Sequence, residues 1–271
     1  MNSSKRARAF TIIELFAVVF LVTLLSSMLL PALARTKASA QRINCSDNLK
    51  RIGVAFQAWG SGHSDKFPMS VPVSNGGYAE YVGVRSLSPA QASSRGVFGM
   101  FQVMSNELST PHLLICPAEN EGRMAATTFS GVIPPGSTDV PFTNDLNTSY
   151  FVGVDAVETG ALMPLSGDHN MGSDGNLIPL AGFVTAPSTY RPAFNVSLGT
   201  NFAVNAGPGW LNTMHSKQGD IVMADGSVQQ LNRTQLQQVL HNAPVVGFVS
   251  GPVFREPPGC TGFGMNRIQF P

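Results

Sequence analysis

Between Leu15 and Ala34 the chain has no charged side chain, and between Phe10 and Trp59 it has a single glycine, Gly53, and a single proline, Pro31. The first absence excludes a solvated surface segment, and the second excludes a loop-rich one. About 20 apolar residues rising ~1.5 Å each cover the ~30 Å hydrocarbon core of a bilayer. Cysteine is sparse too: Cys45, Cys116 and Cys260 stand in no metal-ligand spacing, and an odd count leaves at least one thiol unpaired within a monomer. Charged residues make up only 12% of the chain and the formal net charge is +1, so charge does not indicate nucleic acid as a partner. Internal repeats, a Gly-x-Ser-x-Gly elbow and a P-loop are all lacking, which leaves acyl transfer and nucleotide hydrolysis without support.

What is present divides sharply. The 27 glycines and 19 prolines crowd into the chain after Gly60, so a long helix is followed by a loop-rich head. Beyond the apolar run the helical pattern continues: Cys45, Leu49, Ile52, Phe56 and Trp59 are spaced 4, 3, 4 and 3 apart and share one face. Arg42, Asp47, Lys50, Arg51 and Gln57 take the other faces, and Gly60-Ser61-Gly62 ends the helix. Strands are expected at Tyr150–Val154, Leu177–Leu180 and Asn201–Val204. The clearest element is a hairpin, Asp220–Ala224 and Ser227–Leu231, joined by Asp225-Gly226, because a two-residue turn needs positive φ and these residues tolerate it. After it, Asn232 caps a short helix with Gln235 three residues on. No alternation of helices and strands points to a parallel sheet. The expected class is therefore α+β, with a long N-terminal helix packed on an antiparallel head.

The N-terminus is more specific. Lys5, Arg6 and Arg8 precede Ala9-Phe10-Thr11-Ile12-Ile13-Glu14-Leu15, which places a lone carboxylate at the head of the apolar run. This stretch resembles the processing site of type IV prepilins and pseudopilins, with Ala9 in place of the usual glycine. The resemblance implies a peptidase cut between Ala9 and Phe10, N-methylation of Phe10, Glu14 as the group that sets subunit register, and a kink at Pro31. It implies four segments: a cleaved leader (1–9), a transmembrane half-helix (10–34), an amphipathic half-helix (35–60) and a periplasmic head (61–271). It also implies a pilin-like fold anchored once in a bacterial inner membrane. The implied partners are the prepilin peptidase, other pilin or pseudopilin subunits, membrane lipid before assembly, and the assembly platform of a type II secretion or type IV pilus-like machine. A secretory signal peptide cut after Ala34 fits the same composition. That alternative would release a periplasmic enzyme or carbohydrate-binding module.

Further pieces resemble a bacterial group of prepilin-type proteins: Cys45-Ser46-Asp47-Asn48-Leu49-Lys50-Arg51-Ile52-Gly53, Ile115-Cys116-Pro117, Leu165-Ser166-Gly167-Asp168-His169-Asn170, His215 followed ten residues later by Asp225-Gly226, and the terminal Asn266–Pro271. His215, Asp225, Asp168 and His169 carry the right atoms for a metal or hydrolytic site, yet no local spacing commits them to one centre. The expectation is structural: Asp225 and Gly226 set the hairpin, and His215 bonds nearby backbone. Asp168 and Asp174 are candidates for a structural calcium such as some pseudopilins hold, and no other cofactor and no catalysis is expected. Cys45 should be buried against the head, with Cys116 the thiol that meets it, either as a disulfide or as a free buried thiol.

Overall fold

A computed structural model describes residues 11–82, 96–120, 122–173, 178–179, 194–202, 207–244, 260–261 and 266–271. Ala9, Phe10 and Asp174 lie outside the described residues. In chain order the main elements are α1 (Ile12–Ser61), α2 (Val97–Val103), α3 (Ser105–Leu108), β1 (Tyr150–Gly153), β2 (Pro164–Asp168), β3 (Met171–Ser173), β4 (Ile178–Pro179), β5 (Phe194–Ser197), β6 (Asn201–Phe202), β7 (Gly209–Trp210), β8 (Gly219–Met223), β9 (Val228–Leu231), α4 (Arg233–Asn242), β10 (Cys260–Thr261) and β11 (Arg267–Phe270). Contacts divide the chain into two compact units, Met1–Gln41 and Arg42–Pro271. The last turns of α1 therefore belong with the head.

Within the first unit, α1 is long and apolar enough to cross a membrane. Every residue from Thr11 to Ala40 is exposed, and the helix continues through Pro31 without ending there. It begins with a reciprocal cap. The Thr11 N–H and hydroxyl donate to Glu14 Oε2 at 2.8 and 2.7 Å, and the Glu14 N–H donates back to Thr11 Oγ1 at 3.4 Å. This is the Thr-x-x-Glu pairing that satisfies orphan donors in a first helical turn.

The second unit is a three-layered α+β head. Its six-stranded sheet has the order β5-β11-β1-β2-β8-β9, and every pairing within it is antiparallel. Among the described residues there are also two smaller sheets, β4-β3-β7 and β10-β6. Side chains alternate across a strand, so each strand feeds both layers. Tyr150, Val152 and Val222 pack in the core that contains Leu49, Ile52, Phe56 and Trp59 of α1. Phe151, Ile221 and Met223 turn to the opposite core, which Leu236 and Leu240 of α4 close. The five residues of the expected helical stripe are all buried. Gly53 lies in that stripe because a Cβ there would come within 2.7 Å of Val222 on β8, so the helix rests directly on the sheet.

The hairpin forms with a turn different from the expected one. Val222 pairs with Val228, the Met223 N–H donates to Ser227 O, and the Gly226 N–H donates to Met223 O. Only Gly226 takes positive φ, at 77°. A three-residue loop ending in a left-handed glycine is the next commonest hairpin connection, and it spares Asp225 from positive φ. Asn232 and Gln235 cap α4 reciprocally, as expected.

Candidate functional site

Four of the sequence fragments each deliver one side chain to a single point inside the head. Cys45 comes from the buried face of α1, and Cys116 from the turn after the 3-10 helix Pro111–Leu114. Asp168 ends β2, and His215 lies in the loop that leads into β8. They are 0%, 1%, 0% and 7% exposed, so water barely competes for them. One ligand-type atom from each of the four lies within 4.8 Å of the others.

The contacts are specific. The Cys45 thiol donates to Asp168 Oδ1 at 3.1 Å and stands 3.3 Å from the Tyr150 hydroxyl. Cys116 Sγ is 3.2 Å from His215 Nε2, and that same nitrogen is 3.6 Å from Asp168 Oδ2. Backbone groups close the shell: the Asp220 N–H donates to Asp168 Oδ2 at 2.8 Å, and the Ala118 N–H donates to Cys116 Sγ at 3.4 Å. After His215 the backbone is strained, since Ser216 and Lys217 both hold positive φ, at 53° and 63°. Left-handed non-glycine residues cost about 1–3 kcal/mol each and persist where the surroundings over-determine them. Here they turn the chain so that His215 points inward and β8 starts in register.

Burial dominates the electrostatics. It raises Asp168 to about 7, with the negative charge of Asp220 adding to the effect. It pushes the Cys45 thiol well up, reinforced by its bond with Cys116 and by the Asp168 charge. Burial also raises the Tyr150 phenol and Asp220, and it lowers the His215 imidazole. Taking charge out of water disfavours the charged form, so these groups are all driven toward neutrality. Around the cluster, Asp220 accepts from the Ser46 hydroxyl at 2.7 Å and pairs with Arg42 at 3.6 Å, and Arg42 in turn donates to Gln218. A second buried network lies beside it, in which Glu119 Oε2 meets His169 Nε2 at 2.8 Å and the Ser149 hydroxyl at 2.8 Å.

The expected assignments change accordingly. Cys45 and Cys116 do come together, but both are free thiols, and no disulfide joins them. Each sulfur is engaged by a polar partner, Asp168 for one and His215 for the other. His215 meets a thiol and a carboxylate rather than the backbone expected of it. Asp168 belongs to a sulfur-containing and nitrogen-containing set, which is unlike the all-oxygen shell of calcium. Asp225 is exposed, stays outside the cluster, and accepts the Ser227 N–H at 2.8 Å as a turn residue. His169 turns to Glu119. Sequence spacing does not mark the two cysteines as ligands, because the side chains that complete the cluster lie far from them in the chain, while His112, four residues before Cys116, is exposed and stays outside it.

A thiol next to an imidazole and a carboxylate could be a nucleophilic triad. In such a triad the acid holds the ring nitrogen opposite the one facing the nucleophile. Here Cys116 and Asp168 converge on the same nitrogen, Nε2. The surface groove lined by Leu162, Met223, Leu231 and Val239 includes none of the four side chains. The arrangement is that of groups gathered about a common centre. Compared with family models, curated proteins and solved structures, the chain matches none of them.

Proposed function

We propose that this chain is a membrane-anchored subunit that polymerises through the first half of α1 into a pilin-like envelope filament, with the head carried outside the membrane and no catalytic duty. The observation that carries the reading is the exposed, charge-free face of α1 from Leu15 to Ala34, headed by Glu14 and preceded in sequence by Arg8-Ala9-Phe10. An apolar surface of that length needs lipid or other helices around it. In a filament, copies of the segment pack on one another. Glu14 then gives up its bond to Thr11 and pairs with the methylated amine of Phe10 on a neighbour, because an unpaired charge in an apolar bundle is costly. Release by signal peptidase after Ala34 is less well supported, since an apolar run of about 20 residues is longer than the roughly 7–15 of an ordinary signal peptide.

Glu14→Gln separates register from capping, because glutamine at this position still completes the cap. The expected outcome is normal membrane insertion, a mature chain starting at N-methylated Phe10 in the parent, and loss of most subunit cross-linking in the variant. Intact protein mass spectrometry and cross-linking in membranes read both. A mature chain starting at Arg35, or a glutamine variant that assembles like the parent, sinks the proposal.

A further inference from the structure

We propose that Cys45, Cys116, Asp168 and His215 form a closed, four-coordinate site for a divalent transition ion of the zinc type, which fastens the head-docked turns of α1 to three separate loops and strands of the head. This goes beyond filament assembly and does not depend on it.

The donor set is the first argument. Two thiolates, an imidazole and a carboxylate are ligands that zinc takes, usually four at a time in a tetrahedron. With zinc–sulfur bonds of ~2.3 Å and zinc–nitrogen or zinc–oxygen bonds of ~2.0–2.2 Å, the edges of that tetrahedron are about 3.3–3.8 Å. The separations here are 3.1 Å from Cys45 Sγ to Asp168 Oδ1, 3.2 Å from Cys116 Sγ to His215 Nε2 and 3.6 Å from His215 Nε2 to Asp168 Oδ2, and one ligand atom from each of the four lies within 4.8 Å of the others, so an ion draws the widest pair together by up to about 1 Å. Convergence of a thiol and a carboxylate on one imidazole nitrogen follows directly if all three face one ion.

The second argument is the shell behind the ligands. Zinc ligands are held by outer hydrogen bonds that fix their orientation and raise their basicity. The Asp220 N–H fixes the Asp168 oxygen turned toward His215, the Ala118 N–H points at Cys116 Sγ, and the Tyr150 hydroxyl lies against Cys45 Sγ. Such donors stabilise sulfur as thiolate, the form that binds metal. On binding, each cysteine releases its proton to solvent, as does Asp168 in the fraction that holds one, and the freed sulfur and oxygen lone pairs fill ion coordination positions. All four positions are supplied by protein and all four side chains are buried, so no place is left for a catalytic water. The ion is structural.

Cobalt(II) and zinc(II) are the probes, used on the full chain in detergent after chelation. The expected result is one cobalt per chain, with the ligand-field absorption of a tetrahedral site and sulfur-to-cobalt charge transfer, both abolished by added zinc. Zinc raises the melting temperature of the head, as any ligand restricted to the folded state must. Cys116→Ser removes most of the charge-transfer intensity, and Asp168→Asn, of nearly the same shape, loses cobalt affinity by at least tenfold. Asp225→Asn keeps the full spectrum because its side chain is outside the cluster. A folded parent chain that takes up no cobalt overturns the proposal without recourse to any variant. So does a Cys45–Cys116 disulfide in the chelator-free protein, or a spectrum unchanged in Cys116→Ser. None of these readouts involves filament formation, so failure here leaves the assembly reading standing, and the reverse.

Discussion

From Ile12 to Ala40 every residue of α1 is exposed, whereas from Cys45 to Gly60 eight residues of the same helix are buried. Composition separates them in part, since Leu15–Ala34 carries no charge and Cys45–Gly60 carries Asp47, Lys50 and Arg51. The pattern sharpens the difference. Leu15–Ala34 is apolar all round, which suits lipid or a bundle of like helices, and the second stretch gathers most of its large apolar residues on one stripe, Val54 being an exposed exception. One backbone thus serves two solvents. The second stretch gains stability from the head it rests on, at roughly 25 cal/mol per Å² of apolar surface removed from water. The first is exposed throughout, so its stability has to come from whatever surrounds it.

The largest effect should come from deleting the same side chain in each stretch. Phe56 is fully buried and meets Phe67 and Phe101 edge-on, with centroids 5.7 and 6.2 Å apart. Phe20 is 65% exposed. Phe56→Ala should cost the head about 3–5 kcal/mol, the usual range for a buried phenylalanine cut to alanine. Phe20→Ala should leave head unfolding where it was. Denaturant melts of the full chain in detergent, followed by tryptophan fluorescence, measure both. Equal effects would mean that the two stretches share one cooperative unit, and the comparison would fail.

A smaller effect, confined to the head, is its response to pH. Asp145 is buried, accepts the Phe98 N–H at 2.9 Å, and is raised to about 7 by burial, opposed by that bond and by the Arg123 charge. A carboxyl whose value is higher folded than unfolded binds more protons in the folded state between those two values. Its contribution is therefore complete below about 4, the ordinary unfolded value, and is lost as pH rises through about 7. If the whole shift were realised the loss would be at most about 4 kcal/mol, and relaxation lowers it. Asp168 and Asp220 move in the same direction, so the informative quantity is the difference between the parent and Asp145→Asn. The variant should gain on the parent as pH climbs from 4 to 8 in urea melts. A constant difference across that range contradicts the account.

The contrast between the two stretches of α1 was readable from sequence because periodicity carries it: the spacing of Cys45, Leu49, Ile52, Phe56 and Trp59 names the docked face without any tertiary knowledge. The hairpin and the cap of α4 were readable for a similar reason, since Gly226 and the Asn232–Gln235 pair act within a few residues. The turn itself was not, because two-residue and three-residue loops share the Asp-Gly signature. The reciprocal cap of Thr11 and Glu14 is written in the sequence as Thr-x-x-Glu, since it too acts within one turn. The buried cluster was out of reach for a different reason. Cys45, Cys116, Asp168 and His215 lie in four separated fragments, and what unites them is the packing of α1 across β2 and β8. Periodicity correctly made Cys45 a core residue and said nothing of what its sulfur would meet. Among the described residues, β4 and β6 lie inside the segments expected as strands, Leu177–Leu180 and Asn201–Val204, whereas β3, β7 and β10, which pair in the same small sheets, are too short to register as alternation.

The smallest effect tests whether the outer face of the docked turns matters at all. Asp47 and Arg51 form an i,i+4 ion pair at 3.0 Å, with side chains 56% and 65% exposed. Water and salt screen such a pair, and holding two mobile side chains together costs entropy, so it is worth about 0.3–0.5 kcal/mol. Asp47→Ala also replaces a poor helix former by the best one, which returns a few tenths of a kcal/mol. The net change in head stability should be close to zero, and a double-mutant cycle with Arg51→Ala should show a coupling that shrinks as salt is raised. By contrast, Arg42, two turns earlier, pairs with the buried Asp220 and sits 23% exposed, so its replacement should be felt. A coupling between Asp47 and Arg51 above about 1 kcal/mol, or one indifferent to salt, would mean that this face is covered in solution. The amphipathic half of α1 would then have two docking faces rather than one.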